Sequence, residues 1–460
     1  MKTKITLLLT FLFVSTSALI AQDNQEDIAK LSIMSEYAKS KNYEAAYTPF
    51  MELRAKNPSY SRAIYVYGEK ILEDKIEKAP EAEKVAYIND LLKLWEERAQ
   101  YFASKTPAGE YGAMSCQLKY DNKVALGLTN EELYVCFDAA YKADKDTFTN
   151  PKSLYTYFSL MVDLYDAKQK SAAELFNKYD DVAEKVEGEV ENYSKKLNAL
   201  IEKDSTGASL TSKEKSIKRS SESYLKAYDQ VSSGVDQKLG ERANCENLIP
   251  LYQKDFEENK NNAVWLQRAA GKMSEKDCTD DPLFFKLVNA YHEISPSANS
   301  AYYLGILKDK EGKNNEAIAF YKQAIDLETD NFKKAKLNNK IGIKLKSRGS
   351  YGQARGYFRQ SLQLNPSNGR PHLSIAAMYA ASANSCGDTN FNKRAVYWLA
   401  ADEARKAARV DPTLSKAAAA SVANYSAKAP QKAEIFNCSC SGQSIKIGCW
   451  IGASVTVPSI

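Results

Sequence analysis

The side chains that could do chemistry in this chain are few, and their spacing argues against most of that chemistry. Only two histidines occur, His292 and His372. A Ser-His-Asp or Cys-His triad would have to use one of them, and neither lies in a Gly-x-Ser-x-Gly nucleophile elbow. The eight cysteines form an even set without a paired Cys-x-x-Cys, so a His-rich metal site has almost no ligands to draw on. Carboxylates remain. Glu96, Glu97 and Asp163 would suit an acid–base hydrolase, but charges on amphipathic helices usually face solvent. The expectation is a protein without enzymatic activity, metal or cofactor.

The elements that would position any site are helical repeats. From Ala298 the chain reads ANSAYYLGILKDKEGKNNEAIAFYKQAIDLETDN, with Leu304-Gly305, Gly312, Ala317, Tyr321, Ala324 and Leu327 at the spacings of a roughly 34-residue tetratricopeptide unit. Small residues belong where the two helices of a unit touch, here Gly305 against Ala317; Tyr321 would fill the gap between units. The pattern returns at Ile341-Gly342, Gly349, Tyr351, Ala354, Phe358, Leu364 and Pro366, the proline closing the second helix. A third copy has Ile375, Ala376 and Tyr379, then Tyr397, Ala400, Ala404, Ala407 and Pro412, with an insertion from Ser382 to Asn392 between its helices.

The N-terminal half carries the unit more faintly, in Tyr37, Tyr43, Ala46, Phe50, Pro58 and Tyr67-Gly68. Helical periodicity continues through Val85, Ile88, Leu91, Leu92 and Trp95, and Thr129-x-x-Glu132 is a capping-box start. The middle differs. After a Ser171-x-x-Glu174 box, Leu175, Tyr179, Val182, Val186, Val190, Tyr193, Leu197 and Leu200 form one apolar seam; Ile217, Tyr224, Tyr228, Val231, Val235 and Leu239 form a second. They predict an antiparallel hairpin whose first helix, roughly 50 Å long, projects at its tip; the alternative is that both helices lie along the repeats. In the tail, Ile445, Ile447, Cys449 and Ile451 alternate with Lys446, Gly448, Trp450 and Gly452, a β period, expected to cap the apolar end of the stack. The predicted fold is all-α, a tetratricopeptide-like helical-hairpin solenoid with a long hairpin insertion and a short C-terminal β segment. Its divisions are a signal peptide 1–21, degenerate repeats 22–165, the hairpin 166–243, C-terminal repeats 244–430 and a tail 431–460.

Lys2 and Lys4 precede an apolar run from Ile5 to Ile20, with Ala21 as a small cleavage residue, the order of a secretory signal peptide. Leu19 at the −3 position leaves a cut after Ala18 open. The run is shorter than the ~20 apolar residues a span needs, and no cysteine follows it to carry a lipid. The net charge of +5 falls by two on cleavage, a near-neutral balance that gives no reason to expect nucleic acid. A mean hydropathy of −0.48 fits a soluble chain without a transmembrane span.

Through LLKLWEERAQYF, KDCTDDPLFFK, RAVYWLAADEARKAARVDP and IKIGCWIGASVTVP, the chain resembles a family of mostly uncharacterised secreted tetratricopeptide-repeat proteins of Gram-negative bacteria. The resemblance implies the fold and supplies no activity. It also implies disulfides between Cys245 and Cys278, between Cys386 and Cys449, and as a third pair between Cys116 and Cys136. Cys438 and Cys440 are left open to a strained bridge, a soft-metal site or free thiols, with a structural or oxidised role favoured over metal.

In repeats of this kind the first helices line a binding face. Here the inward positions are Asn299, Tyr302, Ile306 and Asp309, then Lys336, Asn339, Ile343 and Lys346, then Arg370 and Leu373. The face is mildly basic and would suit an extended peptide with acidic character; a carboxylate clamp is not reproduced, since Tyr302 and Ser374 occupy its positions. The functional expectation is an exported scaffold holding segments of partner proteins in the periplasm or at the outer membrane, as part of an envelope assembly or export complex. The alternatives are glycan or cell-wall binding through 29 tyrosines, and a carboxylate-dependent hydrolase.

Overall fold

The computed structural model describes residues 25–459, so the expected signal peptide lies outside the described residues. Contacts divide the chain into two compact units between Lys170 and Ser171. Among the described residues no helix is long and apolar enough to cross a membrane.

The first unit is a run of helices: α1 (residues 25–39), α2 (Tyr43–Lys56), α3 (Ala63–Lys78), α4 (Glu81–Tyr101), α5 (Ala108–Asp121), α6 (Lys123–Leu126), α7 (Asn130–Ala143) and α8 (Pro151–Asp166). Polar caps set the starts. The Asn42 side chain accepts from the Ala45 amide, Thr129 and Glu132 close the expected capping box, and Asn150 caps α8 ahead of Pro151. Apolar residues at helical spacing then bury Phe50, Leu53, Ile64, Tyr65, Ile71, Leu72, Ile88, Leu91 and Leu94 in one core. Helix α8 is nearly enclosed, with Leu154, Tyr157, Phe158 and Leu160 fully buried.

The second unit opens with the long helices α9 (Ala172–Ser205) and α10 (Ser212–Leu239), each started by a complete capping box, Ser171 with Glu174 and Thr211 with Glu214. Helices α11 (Cys245–Asn259), α12 (Ala263–Glu275) and α13 (Pro282–Ile294) follow. The three repeats are α14 (Ala298–Lys310) with α15 (Asn314–Leu327), α16 (Asn331–Ser347) with α17 (Tyr351–Leu364), and α18 (Arg370–Ala381) with α19 (Asn390–Val410). Then come α20 (Ser415–Lys428), α21 (Lys432–Cys438), β1 (Ser444–Ile447) and β2 (Ala453–Thr456). The observed class is all-α and tetratricopeptide-like, with a small C-terminal sheet.

Within the first two repeats a glycine of the first helix lies under an aromatic ring of the second. A Cβ on Gly305 would collide with the Tyr321 ring, and one on Gly342 would sit 2.7 Å from Phe358 Cε1. The residue nearest Gly305 is therefore Tyr321 and not Ala317, because the ring lies flat in the space the missing side chain leaves. Tyr321 thus packs within its own repeat and is fully buried there.

Two further expectations change. The α10 seam turns inward through Ser221 and Leu225, both buried, while Tyr224 is 41% exposed and stacks on Tyr193 at 4.6 Å between centroids. The hairpin lies along the repeats as far as Asn198, which donates to Asn365 at 2.9 Å, and only the turn beyond it, largely exposed over residues 204–213, extends past that contact.

The tail pairs β1 with β2 antiparallel, Ile445 opposite Val455. It docks across α17, α18 and α19 and onto α21, the last helix, where Ile445 and Val457 pack with Ile435. Trp450 lies 5.5 Å from both Tyr351 and Tyr379, stacks with Arg355, and donates its indole N–H to Ser382. Cys386 in the insertion and Cys449 are bonded, as are Cys116 with Cys136 and Cys245 with Cys278. Cys438 and Cys440 are bonded too, so among the described residues the eight cysteines form four disulfides and none is free.

Replacing Gly342 with alanine should destabilise by about 1–2 kcal/mol, since overpacking against the Phe358 ring outweighs the gain in helix propensity; urea unfolding measures it. The double variant C386S/C449S opens a loop of 63 residues and should lose about 4 kcal/mol by loop-closure entropy. Limited proteolysis of that variant should cut first within residues 441–456.

Candidate functional site

The face formed by the first helices of the second unit is already occupied, and its occupant is the α9–α10 hairpin. Helix α9 carries Asp180, Glu184, Glu187 and Glu191 at steps of four, three and four, which puts four carboxylates on one stripe beside the apolar seam. Facing it, α12 carries Arg268 and Lys272 one turn apart, and α16 carries Lys333, Lys336 and Lys340.

The two sets meet in order along the stack. Arg268 grips Glu184 with two hydrogen bonds of 2.9 Å and reaches Asp181 at 3.1 Å. Lys272, buried over the Tyr179 ring at 3.5 Å, is 3.7 Å from Asp180 and 3.2 Å from Glu275. Lys336 pairs with Glu187 at 2.6 Å. Lys195 bridges Glu191 and Asp330. Beyond them the Asn198 carboxamide donates to Asn365 and accepts from the Ser367 amide at 2.9 Å. From α10, Asp229 accepts from Arg370 at 2.8 Å.

These contacts shape the electrostatics. Burial pushes the Glu187 carboxyl up, but Lys336, with Lys340 and Lys333 behind it, holds it below the ordinary range. Burial and the neighbouring Lys336 lower the Lys340 ammonium, which lies over Tyr302. Asp180 goes the other way: burial raises it from 3.8 to about 6, with Lys272 and Arg268 only partly opposing and Glu184 and Glu275 adding to the rise.

Between hairpin and repeats a cavity of about 600 Å³ is left. Val182, Val186 and Tyr228 form its apolar side; Phe332, Asn339 and Asn368 lie across from them. Asn339 has a buried side-chain oxygen without a hydrogen-bond partner.

The residues expected on the binding face separate into groups. Lys336, Asn339 and Arg370 face the hairpin as described. Tyr302 and Ile306 are buried in repeat packing, and Asp309 accepts from Tyr321 and pairs with Arg348. Asn299 and Ile343 are exposed, and Lys346 and Leu373 are half-buried. The sequence reading missed Glu187, Asp229, Asn198 and Lys340; the spacing of the α9 carboxylates was the available signal.

The enzymatic candidates are not assembled. Glu96 is exposed, Glu97 accepts from Arg54 at 2.7 Å, and Asp163 lies on α8. His292 is hydrogen-bonded to Ser300 and His372 to Glu403. Among the described residues no group of three or more His, Cys, Asp and Glu is arranged to hold a metal. Four of the tyrosines, Tyr65, Tyr157, Tyr228 and Tyr321, are fully buried and serve the core.

No family model matches the chain. No curated protein matches it by sequence. Solved structures similar to it include the human IFIT1 dimer with PPP-AAAA, at 15% identity and a TM-score of 0.32 over 78% of this chain and 73% of that one. The Cut9 and Hcn1 hetero-tetramer of the APC/C gives 11% identity and 0.31 over 86% and 89%. Yeast Tom70 gives 10% identity and 0.30 over 90% of each chain. Likeness at this level sets no function for the chain.

Asp180 generates a test. Its raised value means that the folded state holds the proton more tightly, so its contribution is full below the unfolded value of 3.8 and is lost as pH rises to about 6. The stability difference between the parent protein and D180N should fall by about 2–3 kcal/mol across that window and be flat above it, as followed by urea unfolding at stepped pH.

Proposed function

We propose that this protein is an exported helical-repeat scaffold that holds segments of partner proteins in the cell envelope of a Gram-negative bacterium. One observation carries the reading: the first-helix face of the repeats grips a helical segment through an ordered line of charged and carboxamide side chains. A face that does this for its own chain has the chemistry to do it for another. The dispersal of histidines and carboxylates among separate helices favours holding over catalysis. Export is supported by the basic and apolar order of residues 1–21 and by four disulfides, which persist in oxidising compartments. The periplasm or the outer membrane is the proposed location, and an envelope assembly or export complex the proposed setting.

A photo-crosslinking residue at Ile343, exposed on the first-helix face, is compared in cells with one at Leu327, exposed on a second helix. Discrete protein adducts from the periplasmic fraction should form at 343 and not at 327. Equal labelling at both positions, or retention of the chain in the cytosol, would sink the reading.

A further inference from the structure

We propose that the partner taken by this face is an α-helix carrying an acidic stripe, and that the α9–α10 hairpin is its tethered competitor. This rests on the binding reading above and names the partner's chemistry.

The hairpin displays what the face selects. Asp180, Glu184 and Glu187 recur at the i, i+4, i+7 spacing of a single helix face, and each meets a different base of the repeats: Lys272, Arg268 and Lys336. A rigid row of cations at helical spacing discriminates by register. An acidic helix of the same spacing satisfies every base at once, whereas a coil of equal charge must be ordered first.

The hold is light enough to exchange. Glu187 and Lys336 are each 43% exposed, and Arg370 is 58% exposed beside Asp229 at 35%, so these pairs are screened by water and salt. The cavity behind them shows that the hairpin does not fill the face it covers. The apolar contacts of α9 lie largely against α10, so the hairpin retains its own seam when it lifts. Lys340 offers a partner something the hairpin does not supply: among the described residues it makes no ion pair within 4 Å, although it stands one turn from Lys336.

The probe is a fluorescein-labelled peptide of residues 174–203, the acidic helix of this chain, followed by anisotropy on the full-length protein. Hairpin-side substitution E184Q/E187Q/D229N leaves the face intact and weakens only the internal occupant. It should tighten probe binding roughly tenfold, the combined worth of a few screened ion pairs. Face-side substitution R268Q/K336Q frees the hairpin as well but should abolish binding. A control peptide with Asp180, Glu184, Glu187 and Glu191 neutralised to amides should bind neither form.

Hydrogen exchange on the unsubstituted protein serves as a second reading that no folding defect can obscure. Excess probe should accelerate exchange in residues 172–239 and leave the repeats protected. The proposal is overturned if the hairpin-side variant binds the probe no better than the parent, if the neutralised peptide binds equally, or if hairpin protection is unchanged by the probe. Adducts at Ile343 in those circumstances would leave the scaffold reading standing with a partner of different chemistry.

Discussion

The close approach of a first helix to its second, set by a glycine under an aromatic ring, is the constraint on which the second unit depends. With Gly305 beneath Tyr321 and Gly342 beneath Phe358, the two helices of a repeat cannot separate without emptying a buried contact. That fixes how far apart successive first helices stand, and hence the distances from Arg268 and Lys272 to Lys336 and on to Arg370. A line of cations can match a line of anions on one straight helix only if its rungs are evenly held. Apolar packing, which is short-ranged and insensitive to salt, thus supplies the ruler by which a long-ranged and salt-sensitive interaction is read.

The two kinds of contact divide the labour. Packing within repeats and along the α9–α10 seam buries whole side chains, each a stabilisation of about 1.5–3 kcal/mol. The hairpin is joined to the first-helix face by partly exposed ion pairs and carboxamide bonds, each far weaker. Its base is different, because Lys272 is buried between Tyr179 and two carboxylates. The hairpin is therefore anchored near α12 and progressively lighter toward Asn198. The tail is held by other means, a disulfide to the insertion and an indole inserted between two tyrosines.

Much of this was legible in the chain. Capping boxes at Thr129 and Ser171 start helices where their side chains announce them, because a cap is a local bond between residues three apart. The repeat spacing was legible for the same reason: Gly, Ala and aromatic positions recur wherever one helical pair must fit the next. The α10 seam was misread at one turn because buried Ser221 carries no hydropathy signal, which made Tyr224 look like the inward residue in place of Leu225. The place of the hairpin was not legible from its seams, since an apolar seam reports only that two helices pair. The acidic stripe on α9 and the bases on α12 and α16 did encode it, but across separations that begin at 84 residues, and charges at helical spacing look alike whether they face water or a partner. The binding face was foreseen as open for that reason.

Chain order gives the hairpin a part in how the repeats come to exist. Residues 172–239 precede everything they touch in the second unit, and the bases they meet follow in the sequence Arg268, Lys272, Lys336, Arg370. As the polypeptide is delivered from its N-terminal side, α9 and α10 can close on each other while the repeats are still unmade. Each later helix then arrives beside a finished mould whose carboxylates stand in the order in which α12, α16 and α18 are made. The hairpin is in this sense an internal template, and a nascent repeat meets a matching surface before it meets its own next neighbour.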